Sequence, residues 1–228
     1  MQLLRRRAPW AALGVAVAVA ALVLGACASG DGSPDAGTTT SAGESAGGVG
    51  LAGVLGGSGT LFEPPPPAAD FTLTDEDGNR VSLADFRGEV LAIYFGYTHC
   101  PDVCPLTLGT YKAALERLPV DVSEQVKVLL ISVDPDRDTP EVLKRYTDLF
   151  GAPFVGVTGS LEEVDDVLAS WGIDIERGTP NEHGSYAVDH PAASWIVDQE
   201  GRLRVKVAHM TGTDALAADL QAIVEEGN

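Results

Sequence analysis

The chain has 228 residues, 45% hydrophobic and 21% charged, which suits one domain with a tail or two small ones and excludes a fully disordered chain. Lys and Arg number 15 against 33 Asp and Glu, a formal net charge of -18, so the surface repels phosphate backbones and gains nothing from anionic headgroups; nucleic acid is not an expected partner. Three cysteines are too few for a disulfide-stapled scaffold.

Arg5, Arg6 and Arg7 precede an apolar run from Trp10 to Ala26, the charged and apolar regions of a secretory signal, too short to span a bilayer comfortably. Small residues then lead into a cysteine, Leu24-Gly25-Ala26-Cys27, a string that resembles the bacterial lipoprotein signal. Residues 1–26 are therefore expected to be removed and Cys27 to be lipidated, anchoring the protein on the extracytoplasmic face of the cell membrane. The remaining chain carries 12 basic and 33 acidic residues, a net charge of -21, and only Cys100 and Cys104 are left for chemistry. Residues 27–69 are rich in Gly, Ser, Ala and Thr and end in Pro64-Pro65-Pro66-Pro67, which reads as a flexible tether with a stiff end.

From Asp70 to Asn228 strand and helix signals alternate, as expected of a single α/β domain. Phe71 to Thr74 and Val81 to Phe86 read as short extended pieces around the turn Glu76-Asp77-Gly78-Asn79. Val90 to Phe95 is a nearly continuous apolar run, as in a strand buried on both faces. Pro105 suits the first turn of a helix whose buried stripe is Leu108, Tyr111, Leu115 and Leu118. Val126 to Val133 is a second buried strand. Thr139 caps a helix with Pro140 at its first position, and Ser160 with Glu163 forms a capping box for another that ends near Trp171. Ala193 to Val197 and Leu203 to Ala208 read as a hairpin, and Thr213 to Glu226 as a closing helix. This order is that of a thioredoxin-like fold, a central mixed sheet flanked by helices, with an N-terminal extension and an inserted helix.

The turn from the first buried strand to its helix holds Cys100-Pro101-Asp102-Val103-Cys104. Backbone N–H groups and the helix dipole at such a turn favour thiolate, so both thiols are expected to have lowered pKa values. Three residues between the sulfurs, one more than in thioredoxin, leave room for a metal while still permitting a disulfide. Asp102 adds a negative charge that suits a cation. Two thiolates favour Cu(I), and an added imidazole extends such a site to Cu(II). The histidines are His99, His183, His190 and His209. His190 stands in the loop entering the hairpin, which in this fold packs beside the cysteine loop, whereas the side chain of His99 is expected to point away across the pleat. A structural disulfide is the alternative reading of the cysteine pair.

The string Tyr94-Phe95-Gly96-Tyr97-Thr98-His99-Cys100-Pro101-Asp102-Val103-Cys104-Pro105 resembles the Sco/SenC family of copper proteins. Ser132-Val133-Asp134-Pro135-Asp136-Arg137-Asp138-Thr139-Pro140, Leu161-Glu162-Glu163-Val164 and Asp189-His190 follow in the family's order, so that the resemblance covers about residues 70–225. It implies copper, Cu(I) or Cu(II), held by Cys100, Cys104 and His190. It implies a metallochaperone that delivers copper to the CuA centre of cytochrome c oxidase subunit II or prepares its thiols, with a copper donor upstream. Pro191, where the family more often has a small or β-branched residue, stiffens the loop without removing the ligand.

Asp134, Asp136 and Asp138 resemble the start of a calcium loop, but Thr139 and Arg145 occupy the positions that require Gly and Glu. Asp134 and Asp138, with Asp102, are instead expected to brace the site or touch a partner; Tyr97 and Trp195 border it or pack in the core. Two other functions use the same pair: thiol–disulfide exchange on the CuA cysteines, in which Cys100 and Cys104 act without His190, and a copper or redox sensor. Peroxidase chemistry lacks its Pro-x-x-x-Thr-x-x-Cys context.

Overall fold

A computed structural model describes residues 55–227. The expected signal segment, Cys27 and most of the expected tether lie outside these residues. Eight strands form one mixed sheet: β1 (Gly59–Leu61), β2 (Thr72–Asp75), β3 (Arg80–Ser82), β4 (Val90–Gly96), β5 (Val126–Ser132), β6 (Phe154–Thr158), β9 (Ser194–Val197) and β10 (Leu203–Val207), in the order β1-β10-β9-β4-β5-β6-β2-β3. A separate two-stranded ribbon pairs β7 (Glu176–Arg177) with β8 (Val188–Asp189). The helices are α1 (Val103–Leu115), α2 (Val120–Ser123), α3 (Pro140–Thr147), α4 (Leu161–Ser170) and α5 (Thr213–Gly227). The architecture is thioredoxin-like, as expected.

The centre of the sheet follows directly from composition. Every residue of β4 is buried, and β5 is buried except at Lys127, so the two apolar runs lie side by side in parallel, each covered on both faces. Helix α5 lies over β4 and packs against α1, whose Leu108, Tyr111 and Leu115 are buried, as is Leu118 just beyond its end. The caps form as expected: Thr139 accepts from the Val142 N–H, and the Ser160–Glu163 capping box is complete.

Register then brings three loops together. Gly96 at the end of β4 pairs with Ser132 at the end of β5, so the segments that follow both strands leave the sheet as neighbours. Antiparallel β9 begins opposite the same end, with Ser194 paired to Tyr94. The loop before β9 therefore enters beside the cysteine turn.

Three expectations are corrected. Residues 83–86 form a 3-10 turn rather than strand, because Asp85 bonds back to the N–H and hydroxyl of Ser82 and closes a capping box. Strand β6 was not anticipated from the short, glycine-interrupted run Phe154-Val155-Gly156-Val157-Thr158; a β-carbon at Gly156 would lie 2.6 Å from Cβ of Leu143, so α3 sits directly on this strand. The end of the expected tether is also part of the domain. Strand β1 pairs with β10, and Pro67 bridges Arg202. The N–H and hydroxyl of Ser58 both donate to the buried Asp219 carboxylate on α5, at 2.9 and 2.5 Å. Proline-rich chain lacks donors, but its carbonyls and its flat extended shape still complete a sheet edge.

Because Ser58 is 2% exposed and Asp219 fully buried, Ser58→Ala removes one of two donors from a desolvated carboxylate. Urea unfolding should show a loss of about 1–3 kcal/mol. Unchanged stability would return residues 55–69 to the role of a tether.

Candidate metal centre

The cysteine turn is shaped by the absence of a side chain. At Gly96, the last residue of β4, an added β-carbon would stand 2.8 Å from the Tyr94 ring and 3.0 Å from Sγ of Cys104. Glycine here lets the first turn of α1 settle against the strand, with Cys104 fully buried and Cys100 8% exposed. Both thiols are free, and the Cys104 N–H faces Sγ of Cys100 at 3.5 Å. The hydroxyl of Tyr94 donates to Sγ of Cys104 at 3.6 Å.

His190 completes the group. Its Nε2 lies 3.5 Å from Sγ of Cys104, and the ligand atoms of Cys100, Cys104 and His190 are all within 4.8 Å of one another. Its Nδ1 lies 3.1 Å from the carbonyl of Pro191. A carbonyl can only accept, so Nδ1 carries the proton and Nε2 presents its lone pair to the sulfurs. The rings of Tyr94 and Tyr97 meet the imidazole edge-on at 5.9 and 5.6 Å and hold its plane. Burial holds the His190 pKa below the usual imidazole value, which keeps the ring neutral and able to ligate at pH 7.

Burial also reverses one expectation. The Cys104 thiol is not lowered by its place at a helix start; desolvation pushes it up to about 12, despite hydrogen bonds from Tyr94 and the backbone that favour thiolate. Helix dipoles act over one turn through partly solvated surroundings, whereas a sulfur enclosed by Tyr94, Leu130 and α1 loses nearly all its hydration. The apo site is therefore built around a protonated Cys104, whose proton must leave when a cation takes its place.

Asp134 and Asp138 are buried beneath the site, in the loop after β5. Asp138 accepts from Ser132 Oγ, Thr98 Oγ1 and the Thr98 N–H at 2.7, 2.6 and 3.1 Å, tying this loop to the cysteine turn. Burial nevertheless raises its carboxyl above the ordinary value. Asp134 accepts from Arg137 Nε and the Tyr186 hydroxyl, both at 2.5 Å, while the Arg137 guanidinium lies 3.5 Å from the Tyr186 ring centre. Arg137 also donates to the Tyr186 carbonyl, and the Tyr97 hydroxyl receives the Val188 N–H, two residues before His190. Both carboxylates are buried, and their hydrogen bonds tie together the loops that carry Cys100, Cys104 and His190. Asp102 is exposed just before α1 and makes no side-chain cap bond.

His99 points away from the sulfurs as expected, toward Thr98 Oγ1 at 3.1 Å and Asp138 at 3.8 Å. It forms with Asp134 and Asp138 a second close group of ligand-type atoms, whose carboxylates are already engaged by protein donors. His183 is exposed on the loop between β7 and β8, and His209 follows β10 at the surface. Trp195 packs with Phe95 and Trp171 in the core. Sequence reasoning missed the roles of Gly96, Tyr94, Arg137 and Tyr186. The first two lie inside the quoted motif; the Arg137–Tyr186 contact spans 49 positions and carries no local signal.

The sequence model of the SCO1/SenC family matches residues 62–225. The protein sco1 of Schizosaccharomyces pombe is 34% identical over 158 residues, which cover 68% of this chain and 59% of that protein. Copper-bound ScoI of Bradyrhizobium japonicum superposes with a TM-score of 0.63 at 33% identity, covering 69% of this chain and 99% of that one. Apo Sco1 of Thermus thermophilus reaches 0.66 at 41% identity, covering 72% and 95%.

With a pKa near 12, only about one Cys104 thiol in ten thousand is ionised at pH 8. Iodoacetamide followed by mass spectrometry should label Cys100 first and Cys104 only after unfolding. In Gly96→Ala, where the new methyl displaces the sulfur, Cys104 should become reactive in the folded protein. Equal labelling of the two thiols in the native chain would contradict the burial argument.

Proposed function

The chain belongs to the SCO1/SenC family, and from that premise we propose that it is a copper metallochaperone in which Cys100 Sγ, Cys104 Sγ and His190 Nε2 hold the metal. The observation that carries this reading is the convergence of two thiols and a neutral imidazole from two separate loops. Two sulfurs suit Cu(I), and the imidazole extends the set to Cu(II). Copper is cargo here. Cys100, 8% exposed against 0% for Cys104, is the less enclosed of the two sulfurs and the one that a partner's ligand would replace first.

The recipient we propose is the CuA centre of cytochrome c oxidase subunit II, the role that the resemblance to the family implies, with a copper donor upstream. Copper binding is also the stated property of the B. japonicum neighbour. Leu24-Gly25-Ala26-Cys27 supports lipidation at Cys27 and a site on the extracytoplasmic face of the cell membrane. Among the described residues no helix is long and apolar enough to cross a membrane. The exposure of Asp102, two residues from each cysteine, supports a contact with a partner there.

Thiol–disulfide exchange on the CuA cysteines is a second reading, favoured by the adjacency of two free thiols. Persistence of CuA-disulfide reduction in His190→Ala, with its loss in the cysteine variants, would select it.

Purified protein should bind one copper with a sulfur-to-Cu(II) charge-transfer band. His190→Ala should weaken binding roughly tenfold or more, and the Cys100→Ala, Cys104→Ala double variant should abolish it. Below its pKa Cys104 must lose a proton on ligation, so affinity should rise with pH, by about tenfold per unit for that proton alone. Tight binding in the double variant, or affinity that falls as pH rises from 6 to 8, would overturn the assignment.

A further inference from the structure

Beside the metal centre lies a groove of about 220 Å³ between α1 and the segment that follows β10, lined among others by Leu106, Thr107, Ala192, His209 and Met210. Thr107 is one turn beyond Cys104, and Ala192 is two residues beyond His190, so two residues of the groove's lining stand on the segments that carry the candidate ligands. The hydroxyl of Tyr94 meets the Cys104 sulfur, on the same helix α1 that carries Leu106 and Thr107 of the groove.

Met210 is out of place by ordinary packing rules. It is the only methionine apart from Met1, it is 85% exposed, and its φ of 59° is a left-handed backbone conformation that residues other than glycine seldom adopt. An exposed apolar side chain on an unfavourable backbone persists only where its surroundings impose it. Here they do. The Ala208 N–H and the Thr211 hydroxyl both donate to the Ser58 carbonyl, at 2.9 and 3.1 Å. The two residues between them, His209 and Met210, are thereby pushed outward as a turn, one bearing an imidazole and the next a thioether, on the wall of the groove.

We propose that His209 and Met210 form a second, weaker site for Cu(I), through Nε2 or Nδ1 of the imidazole and Sδ of the thioether, which captures the ion before it enters the centre made by Cys100, Cys104 and His190. Thioether and imidazole are both ligands for Cu(I), and both side chains stand exposed, so an incoming ion meets them before the enclosed sulfurs. Transfer is ligand exchange: the bonds to Sδ and the imidazole nitrogen break, bonds to the cysteine sulfurs form, copper stays Cu(I), and each thiol proton passes to solvent. The capture site stands on its own residues; its place before the thiols rests on the function proposed above.

The full chain carrying Cys27→Ser, Cys100→Ser and Cys104→Ser, with carbon-13 in the methionine methyl groups, separates the two. Titration with Ag(I), a stand-in for Cu(I), should shift the Met210 methyl resonance and saturate at one equivalent. Met210→Leu, an exposed change that leaves packing alone, identifies the signal and removes the binding. His209→Ala should weaken it about tenfold or more. A Met210 methyl that does not move, or that responds equally in His209→Ala, overturns the capture site whatever the thiols do. In the chain with its thiols intact, Met210→Leu should slow Cu(I) loading several-fold and leave the final copper content unchanged. Loading at the wild-type rate overturns the relay, whereas absence of copper in both chains counts against the Cys100–Cys104–His190 reading.

Discussion

The sulfur of Cys104 sits against the end of β4 only because residue 96 has no side chain, and the geometry of the site depends on that contact. With the sulfur against the strand, the Tyr94 hydroxyl reaches it, and the imidazole entering ahead of β9 meets it from the other side. Cys100, just before the start of α1, is 8% exposed and so the less enclosed of the two sulfurs. The pair is therefore asymmetric, with Cys104 fully enclosed and Cys100 slightly open to solvent.

That asymmetry shows how competing electrostatic effects are ranked. A helix start favours an anion by a fraction of a charge at its tip, whereas burial removes the hydration of the whole ion. At Cys104 burial prevails, and a cation becomes the natural means of discharging the thiol. The same logic governs His190, where burial removes the proton and leaves a ligand. A low-dielectric pocket thus sets both protonation states, a protonated thiol beside a neutral imidazole.

The support beneath Cys100, Cys104 and His190 is polar, and its two carboxylates are buried. Asp138 joins the loop after β5 to the cysteine turn, and Asp134 with Arg137 and Tyr186 joins it to the loop that leads to His190. Buried carboxylates are costly unless their oxygens are engaged, and here hydroxyls, a backbone N–H and a guanidinium engage them. Such a network resists displacement because losing any one donor leaves a desolvated charge.

Apolar runs with period and length to be buried on both faces made β4 and β5 legible, and local capping patterns did the same for α3 and α4, because these features are decided within a few residues. The cysteine spacing and the candidate histidine were legible for the same reason. The docking of Ser58 on Asp219, the burial of Asp134 and Asp138, the raised Cys104 pKa and the outward turn at Met210 were decided only by the folded chain. Each depends on groups far apart in sequence sharing one desolvated space, and neither distance nor dielectric is written in local order. Composition, charge and the positions of three cysteines restricted what this protein can be; tertiary packing decided which sulfur is fully enclosed and which keeps a little exposure.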